Sequence, residues 1–238
     1  MSHDASSLEI VKDLTYANRI LSNQKVLDAY GHVSVRCGTN PEHFLLARNV
    51  APSLVTPADI LEHDVNGEPV NPGNHRLYLE RFLHAGIYRA RPDVLSIVHS
   101  HSPSVISLGV TGTDLRAIYH MGAFLGTSTP LFEIRDFAGM TDLLISDNKR
   151  ADALASVLGN RPAALLRGHG SVVVGRSIQE SVWRAVYAES NAQLQLDSMK
   201  LGAINFLTAE EAAKASANVD KQLARPWDFW KSQVGTID

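Results

Sequence analysis

The stretch Val94-Leu95-Ser96-Ile97-Val98-His99-Ser100-His101-Ser102-Pro103 sets an apolar, branched run directly before two alternating histidines. Arg91-Pro92-Asp93 breaks whatever element precedes it, so Val94 to Val98 reads as a buried strand and the histidines as its end. Side chains alternate along a strand, so His99 and His101 project from one face and Ser100 from the other. Two imidazoles at this spacing fit a metal site and ordinary half-buried strand positions equally well, and a third ligand decides between them.

Upstream, Leu77 to Tyr88 has a helical pattern, and three short branched segments (Val33 to Arg36, Phe44 to Ala47, Ile60 to Val65) read as antiparallel strands. Cys37-Gly38-Thr39-Asn40-Pro41 and Asn66-Gly67 supply their turns. Ser6 with Glu9 forms a capping box that opens an amphipathic helix carrying Leu8, Val11, Leu14, Ile20 and Leu21. Downstream come a helix near Asp147 to Leu158, a strand at Ala163 to Leu166, a Gly168-His169-Gly170 turn and a strand at Val172 to Val174. Ser177 with Glu180 opens a long helix toward Lys200, with Gly202 placed to end it, and Thr208 with Glu211 opens another. Helix and strand interleave without repeats or low-complexity linkers. The expectation is one α/β domain of three layers over residues 1–238. Its tail, 219–238, carries Trp227, Phe229 and Trp230, which need something to pack on.

Composition narrows the function. At 238 residues and 45% apolar content the chain can fill a core, and 22 Lys+Arg against 25 Asp+Glu leave no basic excess for a nucleic-acid backbone. Ten histidines stand against one cysteine, Cys37, which excludes an intrachain disulfide and a cysteine-based zinc cluster. Any metal must be held by imidazole and carboxylate. No run approaches the roughly 18–20 apolar residues of a membrane span, and the first residues lack a signal pattern, so a cytoplasmic protein without membrane partners is expected.

His169 lies between two glycines, where flexible backbone lets an imidazole reach a neighbouring strand end or simply face solvent. Three neutral imidazoles with no fourth protein ligand would leave the open position of a catalytic site. Glu80 and His84, four apart on the expected helix, share a face. They form a surface pair or, if that helix packs beside His99, an acid/base or fourth ligand with a tuning neighbour. Gly31 to Arg36, including His32 and Ser34, puts small and polar residues at a helix-to-strand turn that a ligand can approach. Arg48-Asn49 reads as a carboxylate clamp or an exposed loop, and Tyr119-His120 as a site pair or as core and surface residues without a role. His3, His43, His63 and His75 fall in polar stretches and are expected to face solvent.

The ordered set G-x-x-S-V-R, E-x-x-x-H before Arg-Pro-Asp, V-H-x-H-S and L-x-x-H-G resembles the class II aldolase/adducin family, from the first helix to near Lys200. The resemblance implies a central, largely antiparallel sheet flanked by helices, with His99, His101 and His169 as metal ligands and Glu80 as acid/base. It also implies a ring-shaped homotetramer with active sites at subunit interfaces, which would cover the aromatic tail. Adducin-like members without catalysis have lost the metal histidines, and this chain retains all three.

Where the sugar-phosphate aldolases bind phosphate, the sequence departs: Ala47-Arg48-Asn49-Val50 replaces a Thr-Gly turn, Tyr78-Leu79 a Ser-Ser pair, and His32 an asparagine. With Arg116, Tyr119-His120-Met121 and Phe132-Glu133-Ile134-Arg135, this looks like the branch that decarboxylates hydroxy-aromatic dicarboxylic acids, such as 3-hydroxy-2-methylpyridine-4,5-dicarboxylate or a dihydroxyphthalate. The implied activity is a carboxy-lyase in which Zn2+ or Mn2+, with Fe2+ also suitable, stabilises an enolate-like intermediate as a Lewis acid. Glu80 or His120, the latter from an adjacent subunit, would protonate the ring carbon. Arg48 with Asn49 or Ser34 would hold the second carboxylate, and His32 and Tyr119 would contact the ring. An aldolase would share the metal and glutamate and release an aldehyde; a non-catalytic adducin-like module would bind no metal.

Overall fold

Alternation along the strands feeds two apolar cores. In the computed structural model, which describes residues 2–71 and 73–237 with side chains from Leu8 onward, Val33, Val35, Val98, Leu165 and Val173 point to one face of a sheet. Phe44, Leu46, Ile97, Leu166, Val172 and Val174 point to the other. The strands are β1 (His32–Arg36), β2 (His43–Ala47), β3 (Ile60–Asp64), β4 (Ser96–Ser100), β5 (Leu131–Phe132), β6 (Ala163–Leu166) and β7 (Gly170–Gly175). Their order is β3-β2-β1-β4-β7-β6-β5, and every neighbouring pair is antiparallel except β5 with β6.

Among the described residues there are eight α-helices: α1 (Ser2–Asn23), α2 (Arg81–Ala90), α3 (Pro103–Thr111), α4 (Arg135–Ala138), α5 (Asn148–Leu158), α6 (Ile178–Leu201), α7 (Ala209–Val219) and α8 (Ala224–Gln233). Leu14 and Ile20 of α1, Leu108 of α3, Trp183 of α6 and Trp227 of α8 fill the first core; Leu83 and Ile87 of α2 and Leu154 and Leu158 of α5 fill the second. The expected three layers are present. Among the described residues no helix is long and apolar enough to cross a membrane.

Several boundaries differ from expectation. Helix α1 already runs from Ser2, so Ser6 is not its start. Ser177 accepts from the Glu180 amide at 3.1 Å, but the Glu180 carboxylate takes the Arg176 amide instead of closing the box, whereas Thr208 and Glu211 cap reciprocally. Trp227 and Trp230 are buried against the chain's own core, with Trp230 near Tyr187. These two indoles find packing partners within the chain, while Phe229, alone of the three, is exposed.

Gly86 sets the α2–α5 contact, because a Cβ there would stand 2.7 Å from the Ala151 backbone carbon and Cβ. Gly86→Ala is expected to push the two helices apart and destabilise the fold by about 1–3 kcal/mol, read as a lower urea midpoint. An unchanged midpoint would show that this contact is slack.

Candidate metal centre and active site

The second core's face ends in histidines. His99 shares the Ile97 face of β4, where its Cα pairs with His32 on β1 and Val172 on β7. Its Nδ1 lies 3.0 Å from the Ser171 carbonyl. A carbonyl only accepts, so Nδ1 carries the hydrogen and Nε2 presents a lone pair. That Nε2 is 3.1 Å from His101 Nε2 and 3.4 Å from Glu80 Oε2, and His169 Nε2 is 3.4 Å from the same oxygen. One ligand atom from each of Glu80, His99, His101 and His169 falls within 4.8 Å of all the others.

Both ring nitrogens of His169 are buried and have no hydrogen-bond partner. An imidazole without partners, facing two imidazoles and a carboxylate, is a donor set that suits a divalent cation and little else. His169, the expected third ligand, thus joins His99 and His101 in one cluster with Glu80.

Backbone sterics bring these residues together. A Cβ at Gly170 would collide with the Ser100 carbonyl, so only glycine lets β7 start so close to β4 and swing His169 beside His99. Glu80 is the N-cap of α2 rather than part of the helix, which corrects the shared-face reading of Glu80 and His84. Its side chain caps nothing: Oε1 accepts from the Ile145 amide at 3.0 Å, which turns Oε2 toward the histidines. Burial pushes the Glu80 carboxyl up, but His99 and His169 outweigh it and hold the group ionised well below the usual carboxylate range. Burial, with His99 and His169 beside it, lowers His101 to about 4, so this imidazole stays neutral.

His84 makes no hydrogen bond to Glu80. Its Nε2 lies 2.6 Å from His32 Nδ1 and its Nδ1 2.7 Å from Ser34 Oγ, which in turn meets the Tyr88 hydroxyl at 2.8 Å. Ser34 is completely buried with its hydroxyl engaged there, so it does not reach a substrate carboxylate as expected. His32 is 3% exposed, and its ring centroid lies 5.1 Å from that of His99 and 4.7 Å from that of Tyr78, both pairs tilted. Burial, reinforced by His84 and His99, drives the His32 imidazole well below its ordinary value.

Arg48 donates through Nε to Asp59 at 2.6 Å, with its side chain 39% exposed, and Asn49 is exposed beside it. Tyr119 and His120 make no contact with the cluster. His120 is exposed and lines a cavity of about 610 Å³ with Trp183, Tyr187, Arg225 and Trp230, on the side of the sheet that packs α6 and α8. A catalytic His120 therefore requires an adjacent subunit. Arg116 lies over the Phe206 ring, and Glu133 pairs with Arg135 and Arg167.

Of the four expected bystander histidines, His75 is exposed, His43 binds Glu62 at 2.6 Å, and the His3 side chain lies outside the described residues. His63 corrects the expectation outright, being 1% exposed and stacked on Phe44. Sequence reading missed the Ile145 amide, the Ser171 carbonyl and Tyr88. The first two are backbone groups that side-chain identity cannot signal.

A family model described as Class II Aldolase and Adducin N-terminal domain matches residues 12–196. The decarboxylase tropJ of Talaromyces stipitatus is 37% identical over 241 residues, covering 91% of each chain. A 3,4-dihydroxyphthalate decarboxylase of Terrabacter sp. is 31% identical, covering 88% of each. The solved structure of L-fuculose 1-phosphate aldolase from Glaciozyma antarctica superposes with a TM-score of 0.80 at 22% identity, over 98% of this chain and 90% of that one.

Burial lowers His63 to about 4 and His84 to about 3. Between pH 6.5 and about 4 the unfolded chain binds protons at both sites that the folded one refuses, so folding stability falls as pH drops through that window. Each site contributes up to about 1.4 kcal/mol per pH unit; below about 4 only His84 continues, to about 3. In urea titrations of metal-free protein, His63→Phe should flatten the slope between pH 6 and 4.5 relative to wild type. Parallel slopes would refute the burial argument.

Proposed function

The chain belongs to the class II aldolase and adducin family, and on that premise we propose that it is a metal-dependent carboxy-lyase acting on a hydroxylated aromatic dicarboxylic acid. The observation that carries the reading is the partnerless His169 facing His99, His101 and Glu80. The names of the decarboxylase relatives support the reaction class, and the replacement of the phosphate-binding positions by Arg48, Asn49 and His32 supports a carboxylate substrate.

Zn2+, Mn2+ or Fe2+ held by His99, His101 and His169 would supply a Lewis acid for the electrons left when the carbon-carbon bond breaks. Glu80 is ionised, so it acts first as a base: Oε2 takes the proton of the substrate's ring hydroxyl. Carbon dioxide then leaves with the bonding electrons remaining on the ring, and Glu80 returns the proton to the ring carbon, releasing a phenolate that solvent reprotonates. The Ile145 amide keeps Oε1 occupied, so the proton is carried at Oε2. The guanidinium of Arg48, with Asn49, would hold the second carboxylate, while Tyr119 and His120 would act across a subunit interface of a homotetramer, His120 being the alternative proton donor.

Metal analysis of purified protein and carbon dioxide release from a panel of hydroxylated pyridine and benzene dicarboxylates test the proposal together. His99→Ala should empty the site and abolish release. Glu80→Gln should keep its metal and lose at least about 10²-fold in rate. Turnover that persists in metal-free buffer would sink the metal role, full activity of Glu80→Gln would move the proton transfer elsewhere, and aldehyde in place of carbon dioxide would make the protein an aldolase.

A further inference from the structure

We propose that Tyr88, Ser34 and His84 are positioning residues whose one-way hydrogen-bond chain presents the Nε2–H of His32 to an oxygen of the bound substrate. The proposal rests on reading the histidine-glutamate cluster as the active site. Its direction follows from counting hydrogens.

Tyr88 is buried, and the single partner of its hydroxyl is Ser34 Oγ at 2.8 Å. A buried O–H without an acceptor is costly, so the phenol donates to the serine. Ser34 Oγ has just one other partner, His84 Nδ1 at 2.7 Å, and donates its own hydrogen there. His84 therefore carries its hydrogen on Nε2 and donates it to His32 Nδ1 at 2.6 Å. With Nδ1 accepting, the hydrogen of His32 sits on Nε2, the edge of the ring with no hydrogen-bond partner among the described residues.

Burial keeps both imidazoles neutral and raises the Tyr88 phenol, so every member stays in the protonation state the chain requires. Placement matches. His32 pairs with His99 across β1 and β4, with ring centroids 5.1 Å apart and planes tilted by 45°. A ligand held beside His99 would then come within reach of that Nε2 edge. A neutral N–H there accepts no proton and attracts no cation, and it selects substrates with an oxygen acceptor at that point, such as a phenolate or a carboxylate.

The first measurement needs no turnover: two-bond nitrogen-proton correlation spectra of the histidine side chains in metal-free protein. His32 and His84 should both be Nε2–H tautomers, and Tyr88→Phe or Ser34→Ala, each removing one donor, should give mixed tautomers at His32. A His32 carrying its hydrogen on Nδ1, or a single unchanged tautomer in both variants, would overturn the chain. The second measurement is calorimetric binding of 2-hydroxybenzoate to metal-loaded protein. Tyr88→Phe should weaken it about 3–10-fold with metal content unchanged, and should add nothing further in the His32→Phe background. Additive losses would show that Tyr88 acts by another route. Wild-type protein with the expected tautomers but no affinity for 2-hydroxybenzoate would overturn the donor role of His32, whereas a chain that binds no metal overturns the reading of the site and leaves the tautomers to judge the relay.

Discussion

Convergence of three imidazoles and one buried carboxylate on a single point is the constraint on which this structure turns. His99 Nε2, His101 Nε2, His169 Nε2 and Glu80 Oε2 face one another, and the Ser171 carbonyl turns the lone pair of His99 into the cluster. Burying so many polar groups together is costly, and separate anchors hold them in place. His99 sits in a five-residue strand paired on both sides. His169 is placed by a glycine that admits the neighbouring strand, and Glu80 by a backbone amide 65 residues away in sequence. Pre-organising the donors before a cation arrives moves the cost of convergence from binding to folding.

That division explains the two cores. The helices α1, α3, α6 and α8 bury one face of the sheet and carry no part of the cluster, whereas α2 and the segment before α5 provide Glu80 and Ile145. The α2–α5 contact is therefore both structural and chemical: displacement of α5 moves the amide that orients the carboxylate.

The clustering of His99 and His101 is legible in the sequence because strand alternation is a local rule that brings both imidazoles to one face. His169 was legible only as a flexible possibility, since its position depends on a long-range approach between β7 and β4. Glu80 was recognised through the wrong geometry: helical periodicity extends the pattern through residue 80, but the residue stops at the N-cap because its carboxylate is drawn to Ile145 and the histidines. His63 departs from expectation because polar neighbours in sequence say little about which side chain a ring stacks on, and Phe44 is far away along the chain.

His32 shows how one register serves two purposes. Pairing of His32 with His99 sets the neighbour of His99 in the cluster, and the same β1 alternation places Ser34 on that face, within reach of His84. A shift of β1 by one residue would send His32 and Ser34 into the α6 core and bring Val33 and Val35 to the site, removing the histidine neighbour and the hydroxyl link at once. The apolar residues between them, Val33 and Val35, are what prevent that slip, so the specificity of the site is enforced from the opposite face of the sheet.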